Sequence, residues 1–570
     1  MFTMTTTTKE QDERFYRDTE SIAFPNLDDH QLALLESLGS RKKIRKGEIV
    51  IKAGERDFPM VLVIDGMLEA YEPHDGEEQI LANAGPRSFL GDVSMLTGTS
   101  SIASVRGQAE ESEVLLIPAS EIQYALAEYP EVGKPIVQAF IMRRERLLRD
   151  PEFIGLRIIA NAGCRTGHRM DDFLDKNHIP HRLMDSASPE SLATREKLNI
   201  TEDALPVLIA NDGTVFSQPT VFEIARVAGL LRPLACEEDK ELFCDLAIVG
   251  AGPAGLASAV NAASEGLKTV VLESFAPGGQ AGMSSLIENF FGFPTGISGG
   301  ELTNRAQLQA HRFGAKFSTP SQVLSLAHSD GEYGSALTID GTNTILRAKT
   351  VIISSGARYN LIEAEGRERF EGMGVFYAAT SMEGKYCRGS TVVVAGAGNS
   401  AGQAAMFLSE IGKKVILVVR GDDLGKSMSS YLSNRVEAKE NIEILYHTEI
   451  RRMMGKTRLE EVEIENTSTG ERRVIQTVAV FSMIGARPCT DWLPSCVLLD
   501  NRGFVKTGTS VADSPKWAGM NRPPYPFETS CPGIFAAGDV RSGSVKRCGA
   551  AVGEGSMAIE NVHQMLGTYS

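Results

Sequence analysis

Two glycine-rich turns, opening at Gly250 and Gly396, are the segments whose residue types and spacing most directly imply chemistry. In the first, the apolar run Cys244-Asp245-Leu246-Ala247-Ile248-Val249 leads straight into Gly250-Ala251-Gly252-Pro253-Ala254-Gly255. An alanine-rich stretch, Thr269-Val270-Val271-Leu272 and Glu273 follow. Gly250 permits a tight turn, Gly252 lets the backbone approach a pyrophosphate, and Gly255 lets a helix pack on a strand. Pro253 and Ala254 open that helix, whose first N–H groups and positive dipole end favour phosphate. Glu273, 18 residues after Gly255, is spaced to accept from ribose hydroxyls.

The pattern then repeats. Thr391-Val392-Val393-Val394-Ala395 runs into Gly396-Ala397-Gly398-Asn399-Ser400-Ala401, and Val415-Ile416-Leu417-Val418-Val419 ends at Arg420. Alanine in place of the third glycine is a permitted variant. An arginine where the first copy has an acid suits a 2′-phosphate, which predicts NADPH rather than NADH, with Lys426 placed to assist. Gly533-Ile534-Phe535-Ala536-Ala537-Gly538-Asp539 reads as one more strand ending in an acid.

The eight cysteines (164, 236, 244, 387, 489, 496, 531 and 548) include no C-x-x-C, and the nine histidines do not cluster with them. Neither a metal site nor a disulfide framework is expected, and scattered thiols of this kind serve mostly as small buried hydrophobes.

The elements that hold these turns divide the chain. From about 25 to 130, short β-rich runs such as Glu48–Ile51, Val61–Ile64 and Val114–Ile117 alternate with glycine turns, predicting a small barrel or roll. Ile136, Val137, Phe140, Ile141, Leu147 and Leu148 have helical spacing and predict a connecting helix. This region resembles the cyclic-nucleotide-binding domain family through Phe89-Leu90-Gly91-Asp92-Val93-Ser94-Met95-Leu96. The resemblance implies that Asp92 stands where an acid holds ribose, and that Ser101 stands where an arginine clamps the cyclic phosphate. Without that guanidinium about 1.5–3 kcal/mol of charged hydrogen bonding is lost, so a docking or dimerising role is expected.

Residues 151–235 resemble the thioredoxin/glutaredoxin fold, with Pro206 where that fold has a cis-proline and Cys164 at the start of the first helix. A lone thiol there leaves monothiol chemistry at Cys164 or an inert adaptor as alternatives, the adaptor being favoured.

From Phe243 onward the chain resembles low-molecular-weight thioredoxin reductase end to end, through both glycine turns, Gly278-Gly279-Gln280, Ile287-Glu288-Asn289-Phe290-Phe291-Gly292-Phe293-Pro294, Phe481–Pro488 and the run to Asp539. The resemblance implies FAD and NADPH, with Gly279, Gln280 and Asn289 at the flavin, Gly538 and Asp539 at the ribityl chain, and Lys546-Arg547-Cys548 along the isoalloxazine edge. It also implies a homodimer.

The expected fold is therefore multidomain α/β. A β-roll with connecting helix occupies 1–150 and a thioredoxin-like unit 151–235. A Rossmann-like FAD domain in two parts, 240–360 and 489–570, encloses an inserted NADPH domain, 361–488.

One departure alters the expected chemistry. Thioredoxin reductases carry C-A-T-C before the second glycine turn; here Tyr377-Ala378-Ala379-Thr380-Ser381-Met382 stands there, with Ala378 and Ser381 in place of the thiols. An internal disulfide relay is not expected. Hydride passes from NADPH to flavin, and the acceptor is a small molecule or a small redox protein. Cys548 and Cys164 are the candidate redox thiols. The alternatives are a ligand-responsive flavoprotein regulator with low turnover, or a thioredoxin-disulfide reductase using external or Cys164 thiols. A net charge of −15 with no basic tract longer than Arg41-Lys42-Lys43 argues against nucleic acid, and the lack of a long apolar run or signal-like start against membranes and for the cytoplasm.

Overall fold

The computed structural model describes residues 6–74, 77–150, 155–230, 241–284, 287, 290–370, 374–377, 379, 383–384 and 387–567. The N-terminal region folds into two four-stranded antiparallel sheets. One joins Ser40–Arg45, Glu111–Ile117, Met60–Asp65 and Phe89–Leu90, the other Ile49–Ile51, Ser104–Gly107, Leu68–His74 and Glu77–Ala84. Along Glu111–Ile117 the inward alternation breaks at Val114-Leu115, and Ser112, Val114, Leu115 and Ile117 are buried. The predicted connecting helix extends over Pro130–Arg149, starting at a proline in its first turn.

The middle region forms a sheet in the order His181–Asp185, Leu156–Ala160, Val207–Ile209, Val215–Ser217. The first pair is parallel and the other two antiparallel. Helix Arg165–Lys176 follows the central strand, and Leu205–Pro206 is cis.

The first glycine turn lies in a seven-stranded sheet. Glu241–Val249 runs parallel to Thr269–Leu272 on one side and Ile345–Ile353 on the other, and Ile534–Ala536 adds parallel to the latter. Strands covered on both faces read as continuous apolar runs, as Leu246-Ala247-Ile248-Val249 does. The second glycine turn sits in a separate five-stranded parallel sheet built on Thr391–Ala395 and Lys414–Val418, flanked by a three-stranded antiparallel sheet over 448–476. The two halves are joined by a two-stranded ribbon in which Ala357–Tyr359 pairs antiparallel with Ala486–Pro488. This ribbon carries the chain out of the first sheet and back into it.

The roll is seated on the first of these halves. Leu308, on helix Gly299–Arg312, is buried in the roll's own core, and Arg312 at that helix's end donates to Leu126 O at 3.2 Å. The middle unit touches both neighbours. Phe173 meets Phe275 edge-on at 5.2 Å, and Arg56 of the roll donates to Gly229 O at 3.1 Å. Burying one leucine of this kind contributes roughly 1.5–3 kcal/mol, so the seating is a packed interface and not a loose tether.

Candidate functional site: two glycine cradles

Gly250 adopts φ +102, and a side chain there would meet Ser354 O at 2.4 Å. The turn is therefore closed on the neighbouring strand end, where Ser354 also donates its hydroxyl to Gly250 O. A Cβ on Gly255 would lie 1.9 Å from Gly250 O, the close helix–strand approach its position predicts. Gly252 is different. A Cβ there would meet nothing nearer than Gly279 Cα, at 3.9 Å, so the space in front of it is open.

Gly252 is also the N-cap of helix Pro253–Ser264, and no side chain caps that helix. Its first-turn N–H groups face an open cradle walled by Gly252 and Gly279, a fit for a pyrophosphate.

Glu273 lies at the end of the adjacent strand and accepts Ala251 N at 2.8 Å and Phe275 N at 3.0 Å. Burial pushes its carboxyl above the usual range, against the pull of these N–H groups. Part of its surface still reaches solvent, leaving lone pairs for a ribose. Gln280, expected at the flavin, donates its amide to Ala357 O. Asn289 lies outside the described residues.

The turn at Gly538-Asp539 is held from the C-terminal helix Cys548–Leu566. Glu554 accepts Gly538 N at 2.8 Å and pairs with Arg541 at 2.7 Å. Burial opposes its ionisation, but Arg541 and the Gly538 N–H outweigh that and keep its carboxyl below the usual range. That helix packs tightly on the first glycine-turn helix, with Ser258 donating to Gly555 O at 3.0 Å. Asp539 itself is pushed up by burial.

Lys546 does not project free positive charge. Its ammonium donates to Asp539 O and lies 4.4 Å from the Phe504 ring centre, and burial lowers its pKa. Arg547 is exposed, and the Cys548 thiol is pushed up to about 11 by burial and by Asp539.

In the second cradle Gly396 has φ +141 and lies against Met483 O, and Gly398 is the uncapped N-cap of helix Asn399–Ile411. Asn399 accepts Ser429 N at 2.8 Å and Ser427 donates to Ala397 O at 2.9 Å, so a serine loop closes over the turn. Sequence reasoning missed these serines, which carry no local spacing signal. Ser400 and Arg420 are exposed. Lys426 is tied to Asp422 at 2.6 Å.

Two glycine turns, each at an uncapped helix after a parallel strand, are accompanied by a match of residues 244–555 to the model of the pyridine nucleotide-disulphide oxidoreductases. The chain belongs to that family.

Residues 41–129 match the cyclic nucleotide-binding domain model. The chain is similar to thioredoxin reductase of Treponema pallidum, 33% identical over 55% of this chain and 94% of that protein. It is also similar to a 34.2 kDa protein in the rubredoxin operon of Clostridium pasteurianum, 30% identical over 58% of this chain and 99% of that protein. Among solved structures it resembles Lactococcus lactis thioredoxin reductase (TM-score 0.50, 26% identity, 56% of this chain and 98% of that one). T. acidophilum thioredoxin reductase is comparable (TM-score 0.50, 28% identity, 57% and 99%).

This pyridine nucleotide-disulphide oxidoreductase is thus an NAD(P)H-dependent flavin enzyme of thioredoxin-reductase type, with FAD and NADPH as its cofactors. A cleft of about 750 Å³ beside the connecting ribbon, lined by residues 360–369 and Arg487, lies at neither glycine turn.

Cys164 is the N-cap residue of helix Arg165–Lys176, part-exposed. Ser101, which stands where the resemblance puts the clamping arginine, donates to Ala103 O at 2.7 Å. Among the described residues no group of three or more metal-ligating side chains gathers, and no helix is long and apolar enough to cross a membrane.

Proposed function

We propose that this enzyme reduces its flavin with NADPH and passes the electrons to an acceptor that meets the flavin directly, without an internal disulfide relay. The observation that carries this reading is in the sequence: no two cysteines stand at C-x-x-C spacing, and Ala378 and Ser381 occupy the motif's expected place. That stretch lies largely outside the described residues. Two of the remaining thiols, Cys387 and Cys548, support the same reading. A relay needs a thiolate, yet burial holds Cys387 near 12 and Cys548 near 11.

When bound, FAD supplies a two-electron centre that takes hydride from the nicotinamide. The chain's own residues bind and orient. The cradle at Gly252 holds pyrophosphate, Glu273 takes a ribose, and Glu554 with Arg541 fixes the Gly538-Asp539 turn. Arg420 supplies positive charge for a 2′-phosphate.

The division into a roll over 1–150, a thioredoxin-like adaptor over 151–235, an FAD domain over 240–360 and 489–570 and an inserted NADPH domain over 361–488 belongs to this proposal. So do a homodimeric state and a cytoplasmic setting.

The test is NADPH-driven turnover with FAD-loaded enzyme against oxidised thioredoxin, a quinone, dioxygen and a small redox protein. The reading predicts turnover with one of the last three well above thioredoxin; rapid thioredoxin reduction would overturn it. A second reading, a ligand-responsive regulator, is favoured by one relationship. Helix Gly299–Arg312 underlies the roll and also packs on Gly278–Gly282, where Gly278 lies against Thr303. A cyclic nucleotide that binds the full chain and changes the rate of flavin reduction would support it.

A further inference from the structure

Cys496 and Cys531 are 35 residues apart in sequence, yet the fold packs both side chains into one cluster and bridges their segments through the Ser530 hydroxyl. Backbone geometry holds them there. Ser530, next to Cys531, donates its hydroxyl to Cys496 O at 2.6 Å and accepts Leu498 N at 2.8 Å. Thr529 accepts Cys531 N at 3.1 Å, and Ile534 N bonds Cys531 O at 3.1 Å, so the second cysteine cannot swing away. Both side chains pack into one apolar cluster with Val497, Val505 and Ile534, which fixes the facing sides of the two segments. Cys531 is fully buried, whereas Cys496 is half-buried.

We propose that Cys496 and Cys531 are a redox-reversible thiol pair that closes to a disulfide under a hydroperoxide. The link staples the segment returning from the connecting ribbon to the strand that leads to Asp539.

The chemistry balances in two steps. Hydrogen peroxide transfers one oxygen to the Cys496 sulfur, giving a sulfenic acid and releasing water. The Cys531 sulfur then attacks that sulfur. The S–S bond forms, the S–O bond breaks, and the departing hydroxide leaves with the Cys531 proton as a second water. Two electrons pass from the two thiols to one peroxide. A dithiol reverses the link, becoming a disulfide itself. Burial pushes the Cys531 thiol up and shields it fully, whereas Cys496 is half-buried, which leaves Cys496 as the sulfur the oxidant meets.

The test uses the full FAD-loaded chain, treated with hydrogen peroxide, alkylated and digested without reduction. Mass spectrometry is expected to find the peptides of Cys496 and Cys531 joined, with the loss of two hydrogens. Fragmentation should place the bond at Cys496, not at Cys489 in the same peptide, and dithiothreitol should reverse it. The linked species should vanish in Cys496→Ser and persist in Cys164→Ser. Separate alkylation of both thiols after peroxide, a sulfinic acid at Cys496 without a link, or a bond at Cys489 would each overturn the proposal.

Discussion

The guanidinium of Arg144 meets the carboxylate of Asp92 at 2.8 Å, with the two side chains only 10% and 14% exposed. The acid that cyclic-nucleotide-type rolls present to a ligand is thus engaged from within the chain, by the helix that leaves the roll. Arg144 also donates to Ser94 Oγ at 3.0 Å and, across the boundary to the middle unit, to His178 O at 3.2 Å. One side chain therefore closes the cassette and ties two units together.

Removing one partner of a buried pair leaves the other charge uncompensated, at a cost of about 3–5 kcal/mol. Arg144→Ala should lower the free energy of urea unfolding of the N-terminal units by that amount. Replacing both, Arg144→Met with Asp92→Asn, should recover most of it. Equal loss in the single and double variants would contradict a buried, coupled pair.

The two glycines of the first cradle should behave differently. A methyl at Gly255 would stand 1.9 Å from Gly250 O, whereas at Gly252 it meets no protein atom closer than 3.9 Å. Gly255→Ala should therefore lower the melting temperature even without flavin. Gly252→Ala should leave the flavin-free protein's melting unchanged yet weaken FAD at least tenfold, about 1.4 kcal/mol, because the methyl takes pyrophosphate space. Flavin fluorescence titration beside thermal unfolding separates the two.

Asp539 carries a pH signature. Burial raises its carboxyl in the folded state, so the ionised form is penalised there and not in the unfolded chain. The sign follows from linkage: no penalty exists below the ordinary carboxylate range, and stability is lost as pH rises through the raised value. Asp539→Asn should therefore melt like wild type at acid pH and higher at neutral pH, when both lack FAD. The same variant should weaken FAD by about tenfold. A stabilising effect that grew toward acid would have the wrong sign.

Arg420 is exposed at the end of the second glycine unit's strand. Arg420→Ala should raise the KM for NADPH about ten- to hundredfold, leave that for NADH nearly unchanged, and flatten the salt dependence of the NADPH value. A parallel change for both nucleotides would remove the 2′-phosphate role.

What could be read in advance was local. Gly250 and Gly396, both with positive φ, followed from the strand–turn–helix order, because only glycine suits such a turn. The runs at 244–249 and 391–395 are strands because both faces are covered. Contacts between distant segments were not legible. Arg144 lies 52 residues from Asp92, and nothing near either marks the other. Lys546 was expected along the isoalloxazine edge, and nothing near it showed that its ammonium donates to Asp539 O beside the Phe504 ring. Lys426, read as an aid to Arg420, is paired with Asp422, four residues away. Charge counts do not show which charges the protein has already paired.

The direct flavin route is tested most sharply by counting electrons. The FAD-loaded Cys496→Ser chain, oxidised and anaerobic, would be titrated with NADPH while the flavin absorbance is followed. With no internal disulfide between nicotinamide and acceptor, bleaching should be complete at one NADPH per FAD and no new alkylatable thiol should appear. Two NADPH per FAD, with a pair of thiols released, would show a relay inside the chain and contradict the account.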